Sequence, residues 1–364
     1  MNVPFTEVVV REAALRSAMA KAVEEILDTG AFILGPGVER FETAFAAYVG
    51  KKYCLAVNSG TSALHLALLA LGIGPGDEVV TVPNTFIATL EAISYTGATI
   101  RLADVDETTY TMNPASLRDV VTGKTRAIIP VHLYGHPADL AVITAFAAER
   151  GIAVIEDACQ AHGALVQGKR VGGFGTFGCF SFYPSKNLGA CGEGGALVTD
   201  DERLVQRVRM YRDHGQREKG RHAVVGYNYR MPGIQGAILA EKLPYLDGWN
   251  RQRREAAVLY GAFLKETAVI MPRETREGGH VFHLYVVRTP GRDDLRTRLA
   301  QAGIATGIHY PIACHLTEAY HCLGYRRGSL PVAEKLCEEI ISLPMFPGIT
   351  EAQIAYVCNR IRKN

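Results

Sequence analysis

What this chain lacks narrows its class first. No apolar run approaches the roughly eighteen residues needed to cross a bilayer, and the first residues carry no basic stretch followed by an apolar one. Neither a membrane span nor a secretory leader is therefore expected. No C-x-x-C pair occurs among the eight cysteines at 54, 159, 179, 191, 314, 322, 337 and 358, and several of them sit inside apolar runs. That argues against zinc and disulfide frameworks and for buried, reduced thiols in a cytoplasmic protein. The formal net charge is only +2, too little to mark a binder of nucleic acid or of a membrane surface. The densest basic cluster, Arg251 to Arg254, reads as the wet face of a helix. Repeats and low-complexity linkers are absent too.

What is present is an ordinary globular composition, 48% hydrophobic and 21% charged, in a chain of 364 residues with room for two domains. Short β-rich runs at 53–57, 78–82, 100–104, 127–131, 153–156, 179–182 and 195–199 alternate with helical patterns at 62–71, 86–96, 114–121 and 140–150. Strands separated by helices of that length predict parallel βαβ units, hence a mostly parallel sheet covered on both faces. After Asp200 the pattern turns helical to about residue 265. A smaller α+β unit follows, with strands expected at 280–288 and 306–309 and helices at 293–302, 331–341 and 351–362.

Two glycine patterns mimic nucleotide-binding loops. "GALVQGKR" (163–170) fits G-x-x-x-x-G-K but continues with Arg170, so the metal-binding hydroxyl is missing. "GFGTFG" (173–178) fits G-x-G-x-x-G yet precedes a strand, without the helix start that would hold a phosphate. Tight turns account for both.

Three other stretches carry chemistry. "VNSGTSALHLALLAL" (57–71) is a strand, a turn of small residues and a helix, opened by the amides of Gly60, Thr61 and Ser62. Free N–H groups and the helix dipole suit a phosphate there, although Ser59 or Thr61 as a plain N-cap explains the same pattern. "VIEDACQAHGA" (154–164) ends a buried strand in Glu156–Asp157, where open α/β sheets bind ligands, or where a following helix needs a cap. "CFSFYPSKNLGACGEGG" (179–195) sets Lys186 between an aromatic strand and a run of glycines. By itself that lysine fits a surface loop. Taken together, a lysine, a carboxylate and a phosphate-binding helix start are what pyridoxal 5′-phosphate needs: a Schiff-base amine, a partner for the pyridinium nitrogen and an anchor.

With "AFILGPGVERFE" (31–42), "NSGTSALHLALLALGIGPGDEV" (58–79) and "GYNYRMPGIQGAILAEKL" (226–243), these stretches fall in one order along the chain. In that order the sequence resembles the DegT/DnrJ/EryC1/StrS family of sugar aminotransferases nearly end to end. The resemblance implies the α/β fold-type I architecture of PLP-dependent transferases (aspartate aminotransferase-like). It places a large domain with a mostly parallel sheet at 10–245 and a small C-terminal α+β cap at 246–364. By position, Lys186 resembles the lysine that tethers the cofactor, and Asp157 the partner of its pyridine nitrogen. Gly60, Thr61, Ser62 and Ser181 resemble the phosphate binders, Phe86 the stacking aromatic, and Gln160 the residue beside the phenolic oxygen. Asn228 resembles an asparagine that reaches the neighbouring subunit's cofactor, which implies a homodimer with shared active sites.

The implied reaction moves an amino group from glutamate to a ketone of a nucleotide-linked sugar, with Lys186 as the base. "GIHYPIACH" (307–315) and Tyr183 bring the resemblance closest to aminotransferases acting at C3 of dTDP-3-keto-6-deoxyhexoses. Tyr183, His309, Tyr310 and His315 are then expected near the sugar. Arg212 and Arg230 are candidates, on charge alone, to bind the donor carboxylate. Three rival readings remain. One is amination at C4 of a UDP- or GDP-linked sugar, or of an inosose. Another is a dehydratase, although relatives of that kind carry histidine where Lys186 stands. The last is a regulator that binds PLP without turnover.

Overall fold

The computed structural model describes residues 1–273 and 279–362. Strands β1 (Tyr53–Val57), β2 (Glu78–Thr81), β3 (Thr99–Leu102), β4 (Thr125–Ile128) and β5 (Ala153–Asp157) come first. The hairpin of β6 (Leu165–Val166) and β7 (Lys169–Arg170) follows, then β8 (Phe177–Ser181) and β9 (Gly195–Thr199). Seven of these form one sheet in the order β1-β9-β8-β5-β4-β2-β3. The five strands from β8 to β3 run parallel, and β9 is antiparallel to both of its neighbours. The sheet is therefore mostly parallel as expected, with 195–199 the exception. The glycine-rich segment after β8 turns the chain straight back, so no crossover helix separates β8 from β9.

Helices on both faces bury a largely apolar sheet. These are α1 (Ala13–Thr29), α2 (Pro36–Val49), α3 (Gly60–Ala70), α4 (Ala88–Thr96), α5 (Leu117–Val120), α6 (Leu140–Ala148), α7 (Glu202–Arg212) and α8 (Gly233–Lys242). Between α7 and α8 lies a small exposed hairpin, β10 (Gln216–Glu218) with β11 (Arg221–His222). The long α9 (Leu246–Leu264) then leads to β12 (Tyr285–Arg288), α10 (Arg292–Gln301), α11 (Pro331–Glu339), β13 (Ile340–Leu343) and α12 (Glu351–Arg362). Of these, α9, β12, α10, β13 and α12 surround a separate core that also takes in Val3, which bridges to Ile304, whereas Ala333 and Leu336 of α11 pack with the strands of the large sheet.

Four local expectations are corrected. Residues 280–284 stay outside the strand, which begins at Tyr285, and 306–309 offers only a bridge from Gly307 to Ser342. The partner of β12 is β13, where a helix was expected to end; the branched Ile340–Ile341 pair suits a strand. The basic cluster on α9 is not wholly wet either. Arg253 is buried, and its Nη1 donates to the carbonyls of Phe282 (3.1 Å), His283 (3.3 Å) and Met345 (3.2 Å). Burial lowers its pKa to about 10.

"GFGTFG" does hold an anion, but one supplied by the protein. Glu156 is fully buried and accepts from the backbone amides of Gly172 (2.6 Å), Phe174 (2.7 Å) and Gly175 (2.6 Å). His132 adds a further donor, Nε2, at 3.2 Å; its Nδ1 already accepts from Ala138 N. A buried carboxylate without such donors would cost several kcal/mol. Glu156→Gln sets an amide N–H2 against backbone donors, and unfolding in urea should show a loss of about 3 kcal/mol. An unchanged midpoint would contradict this role.

Candidate active site

The carboxyl ends of β1, β2, β5 and β8 open on one cavity of about 670 Å³. At one end β1 runs into α3. Ser59 caps that helix, its Oγ accepting from Ser62 N at 3.1 Å. The first-turn amides of Gly60 and Thr61 have no carbonyl within the helix to bond, and both residues line the cavity with Ser181. Ser62 does not line it, because its hydroxyl turns inward to Asn58 Oδ1 at 2.7 Å. Gly60 must be glycine for a steric reason. A methyl there would lie 2.7 Å from Ser181 Cβ and 2.8 Å from Cys159 Sγ.

Asp157 ends β5 and is buried in the cavity wall. Its Oδ2 accepts from Thr89 Oγ1 at 2.8 Å and its Oδ1 from Cys159 N at 3.2 Å, which orients the carboxylate without using all its lone pairs. Thr85 Oγ1 stands 2.9 Å behind Thr89 Oγ1 and completes a hydroxyl chain. Beside this carboxylate comes Lys186. The chain curls after β8, with Lys186 N donating to Tyr183 O and Ala190 N to Phe182 O, both at 2.8 Å. Burial pushes the Lys186 ammonium below its ordinary range, partly offset by Cys159 and Asp157. Burial raises the Cys159 thiol instead, which keeps it protonated.

Phe86, 53% exposed, faces the cavity with its ring centroid 5.7 Å from that of Tyr310. Gln160 accepts from Tyr134 N at 2.8 Å and donates Nε2 to Tyr310 Oη at 3.2 Å, which leaves the phenolic hydrogen free to point elsewhere. Tyr183 and His309 also line the space. Burial lowers the His309 pKa to about 4, so this ring is neutral at pH 7; its Nδ1 lies 2.8 Å from Ser342 Oγ. Phe5 stacks on it at 5.5 Å.

Some expected residues lie elsewhere. His315 is fully buried with Nε2 3.1 Å from Glu334 Oε1, because the turn at Cys314–Leu316 tucks it against α11 and away from the cavity. Asn228 is exposed and absent from this chain's own cavity wall; its Oδ1 accepts from Arg230 Nε at 3.1 Å and Nη2 at 2.8 Å. Arg212 is buried and bound to Glu42 and the Ala56 carbonyl, each at 2.8 Å. Arg230 pairs with Asp213 at 2.8 Å. Among the described residues no arginine lines the cavity.

Sequence reasoning missed Phe5, Thr6, Thr85, Thr89, Cys159, Glu193 and His283, all of which line the space. Only Thr85 and Thr89 carried a signal, an i, i+4 pair of hydroxyls at the entry to α4. The rest arrive by long-range contact. Because the atoms near Gly60 belong to stiff parts of their side chains, Gly60→Ala should cost about 2 kcal/mol in a urea titration. A variant as stable as the parent would show that the contact relaxes freely.

The description of the family model that matches residues 14–362 is the DegT/DnrJ/EryC1/StrS aminotransferase family. Among curated relatives, a "Pleiotropic regulatory protein" of Geobacillus stearothermophilus is 44% identical over 99% of this chain and 98% of its own. The dTDP-3-amino-3,4,6-trideoxy-alpha-D-glucose transaminase of Streptomyces venezuelae is 42% identical, over 100% of this chain and 96% of its own. A UDP-N-acetyl-3-dehydro-alpha-D-glucosamine 3-aminotransferase of Acidithiobacillus ferrooxidans is 43% identical, over 99% and 97%. Of solved structures, S. venezuelae DesV with a bound reaction intermediate superposes with a TM-score of 0.96 at 42% identity, covering 100% of this chain and 98% of that one. Bacillus subtilis NtdA with bound cofactor PMP gives a TM-score of 0.92 at 31% identity, covering 100% and 86%. The match along nearly the whole chain establishes that this protein belongs to the DegT/DnrJ/EryC1/StrS aminotransferase family.

Proposed function

We propose that the cavity holds pyridoxal 5′-phosphate and that the protein transfers an amino group from glutamate to a keto group of a nucleotide-linked deoxysugar. The observation that carries this reading is the meeting of three features on one cavity: Lys186, the oriented Asp157 carboxylate and the open start of α3. The residues fit the cofactor. The amides of Gly60 and Thr61 and the hydroxyl of Ser181 suit its phosphate, Asp157 its ring nitrogen, Phe86 its ring face and Gln160 its phenolic oxygen. Lys186 is the amine for covalent attachment. When bound, the cofactor supplies an electron sink that lets an amino group and a keto group be exchanged.

The protein's own part is binding, orientation and proton handling. Lys186, its ammonium destabilised by burial, releases a proton at Nζ more readily than an ordinary lysine and can take it up again. Asp157, fixed by Thr89 and Cys159 N, presents its carboxylate to the cavity in one orientation. Tyr183, Tyr310 and neutral His309 offer hydrogen bonds to the sugar and its phosphates. Since the described cavity wall holds no arginine, the donor's carboxylate and the substrate's phosphates need cations from outside it. In a homodimer Arg230 is the cation, entering the other subunit's site beside exposed Asn228. Amination at C3 of a dTDP-3-keto-6-deoxyhexose is favoured because relatives named for 3-amino sugars align over nearly the whole chain.

Lys186→Ala should lower transamination by more than about a thousandfold while leaving the urea midpoint near the parent's. Retained turnover would remove the lysine from the mechanism, and a parent protein that binds cofactor without turnover would favour a regulator. Across 3-keto and 4-keto dTDP- and UDP-sugars with glutamate as donor, product should form from the 3-keto dTDP compound. Amination of 4-keto sugars alone would overturn the C3 reading. Hybrids of Lys186→Ala and Asn228→Ala subunits should regain one working site per dimer. Hybrids no more active than either parent would place Asn228 outside the partner's site.

A further inference from the structure

The segment before α1 forms part of the cavity wall: Phe5 and Thr6 line the space that also holds Lys186. This segment is pinned at Val3 and at Phe5 itself. Val3 N donates to the Gly303 carbonyl and Ala305 N to the Val3 carbonyl, each at 3.0 Å. Met345 N donates to the Phe5 carbonyl at 3.2 Å. Further along, Glu12 accepts from Trp249 Nε1 at 2.9 Å. Backbone held in this way delivers the Phe5 ring to one place, against the cluster that includes Val131, Tyr134 and Leu284.

That ring lies on His309. The two planes are 15° apart with centroids 5.5 Å apart, so Phe5 covers part of one face of the imidazole. His309 meets Tyr310 at 5.7 Å, and Tyr310 meets Phe86 at 5.7 Å. Four rings thus stand in a row from the N-terminal segment to the aromatic assigned to the cofactor's ring. The packing has no slack, since a methyl group on Gly307 would lie 2.5 Å from His309 Cε1 and 3.2 Å from Phe5 Cζ. Ser342 Oγ lies 2.8 Å from His309 Nδ1, and Tyr134 Oη donates to the His309 carbonyl. Those bonds fix the edge of the ring and its backbone, and Phe5 supplies the stacking contact to its face. We propose that Phe5 is a positioning residue for the sugar half of the reaction: its ring holds the His309 imidazole at the cavity wall and keeps water from that face, so that His309 meets the keto sugar in one orientation. The proposal rests on the reading of this cavity as a site for a keto sugar.

Burial lowers the His309 pKa to about 4, and the charge of Lys186 adds to the effect. His283, Tyr134 and Tyr310 are the other titratable groups around the ring, and burial keeps the first neutral and the two phenols protonated. Removing Phe5 therefore acts on His309 through hydration and not through a lost charge. Phe5→Ala opens the covered face, whereas Phe5→Leu keeps an apolar cover over it. In the full-length protein, labelled at histidine Cε1, the His309 signal is identified by its loss in His309→Gln. From about pH 8 to about pH 5.5 it should stay flat in the parent and in Phe5→Leu, and move in Phe5→Ala as its midpoint rises by at least about one pH unit. In turnover, KM for the keto sugar should rise about tenfold in Phe5→Ala with kcat within about threefold, while a single turnover with glutamate alone keeps the parent's rate.

A His309 signal that stays flat in Phe5→Ala, or a glutamate reaction slowed as much as that of the sugar, would overturn the proposal. Should Phe5→Ala fail to fold, Phe5→Val is read in its place: a moving signal and a raised sugar KM support the proposal, and parent-like values overturn it. A parent that turns over no keto sugar would contradict the functional reading instead, and the titration, which uses no substrate, tells the two failures apart.

Discussion

Two neighbouring carboxylates at the end of one buried strand set the terms for the rest of the molecule. Strand alternation sends Glu156 and Asp157 to opposite faces of β5, and neither can stay charged there without donors. Glu156 is satisfied within the protein by three loop amides and His132. Asp157 is only partly satisfied, by Thr89 and Cys159 N. The first arrangement anchors the strand end, and the second leaves an oriented charge facing a cavity. One strand thereby carries both a structural and a chemical carboxylate, told apart by how many donors each receives.

The lysine is placed by equally specific means. Its loop lies between β8 and the returning β9, where Gly195 sits so close to the α3 turn that a Cβ would come 2.2 Å from Ser59 O. Lys242 donates to the Gly189 carbonyl, and Gln235 bonds both the amide and the carbonyl of Cys191. Asn187 ties the same loop to α9 and to the segment before β12. Arg253 fixes that segment in turn through its carbonyls. The turn that carries Lys186 is thus held by contacts from α8, α9 and the segment before β12.

Much of this was legible in the sequence, and the limits follow one rule. The alternation of strands and helices, the Gly60 turn, the carboxylates ending β5 and the lysine loop are local patterns, and the structure brings the Gly60 turn, Asp157 and the lysine loop to one cavity. The reversed direction of β9 depends on pairing between distant segments, which periodicity does not encode. Arg253 read as wet because its neighbours on α9 are charged, yet the carbonyls it meets lie thirty and more residues away. His315 lay close to His309 in sequence but is separated from it by a turn that faces α11. Phe5 reaches the site because the segment around Val3 joins the C-terminal core, a contact no local pattern announces. The amides of Phe174 and Gly175 in "GFGTFG" meet Glu156, a long-range partner that no local pattern announces.

The central claim is that Lys186 is the amine to which the cofactor binds. Lys242 is the sharpest competitor, since it too is buried and its ammonium is likewise destabilised by burial. The direct measurement is borohydride reduction of the cofactor-loaded protein followed by digestion and peptide mass mapping. The account predicts one modified peptide, containing Lys186 and carrying the added mass of the reduced cofactor. Modification of Lys242 or of any other lysine in its place, or no stable adduct at all, would contradict it.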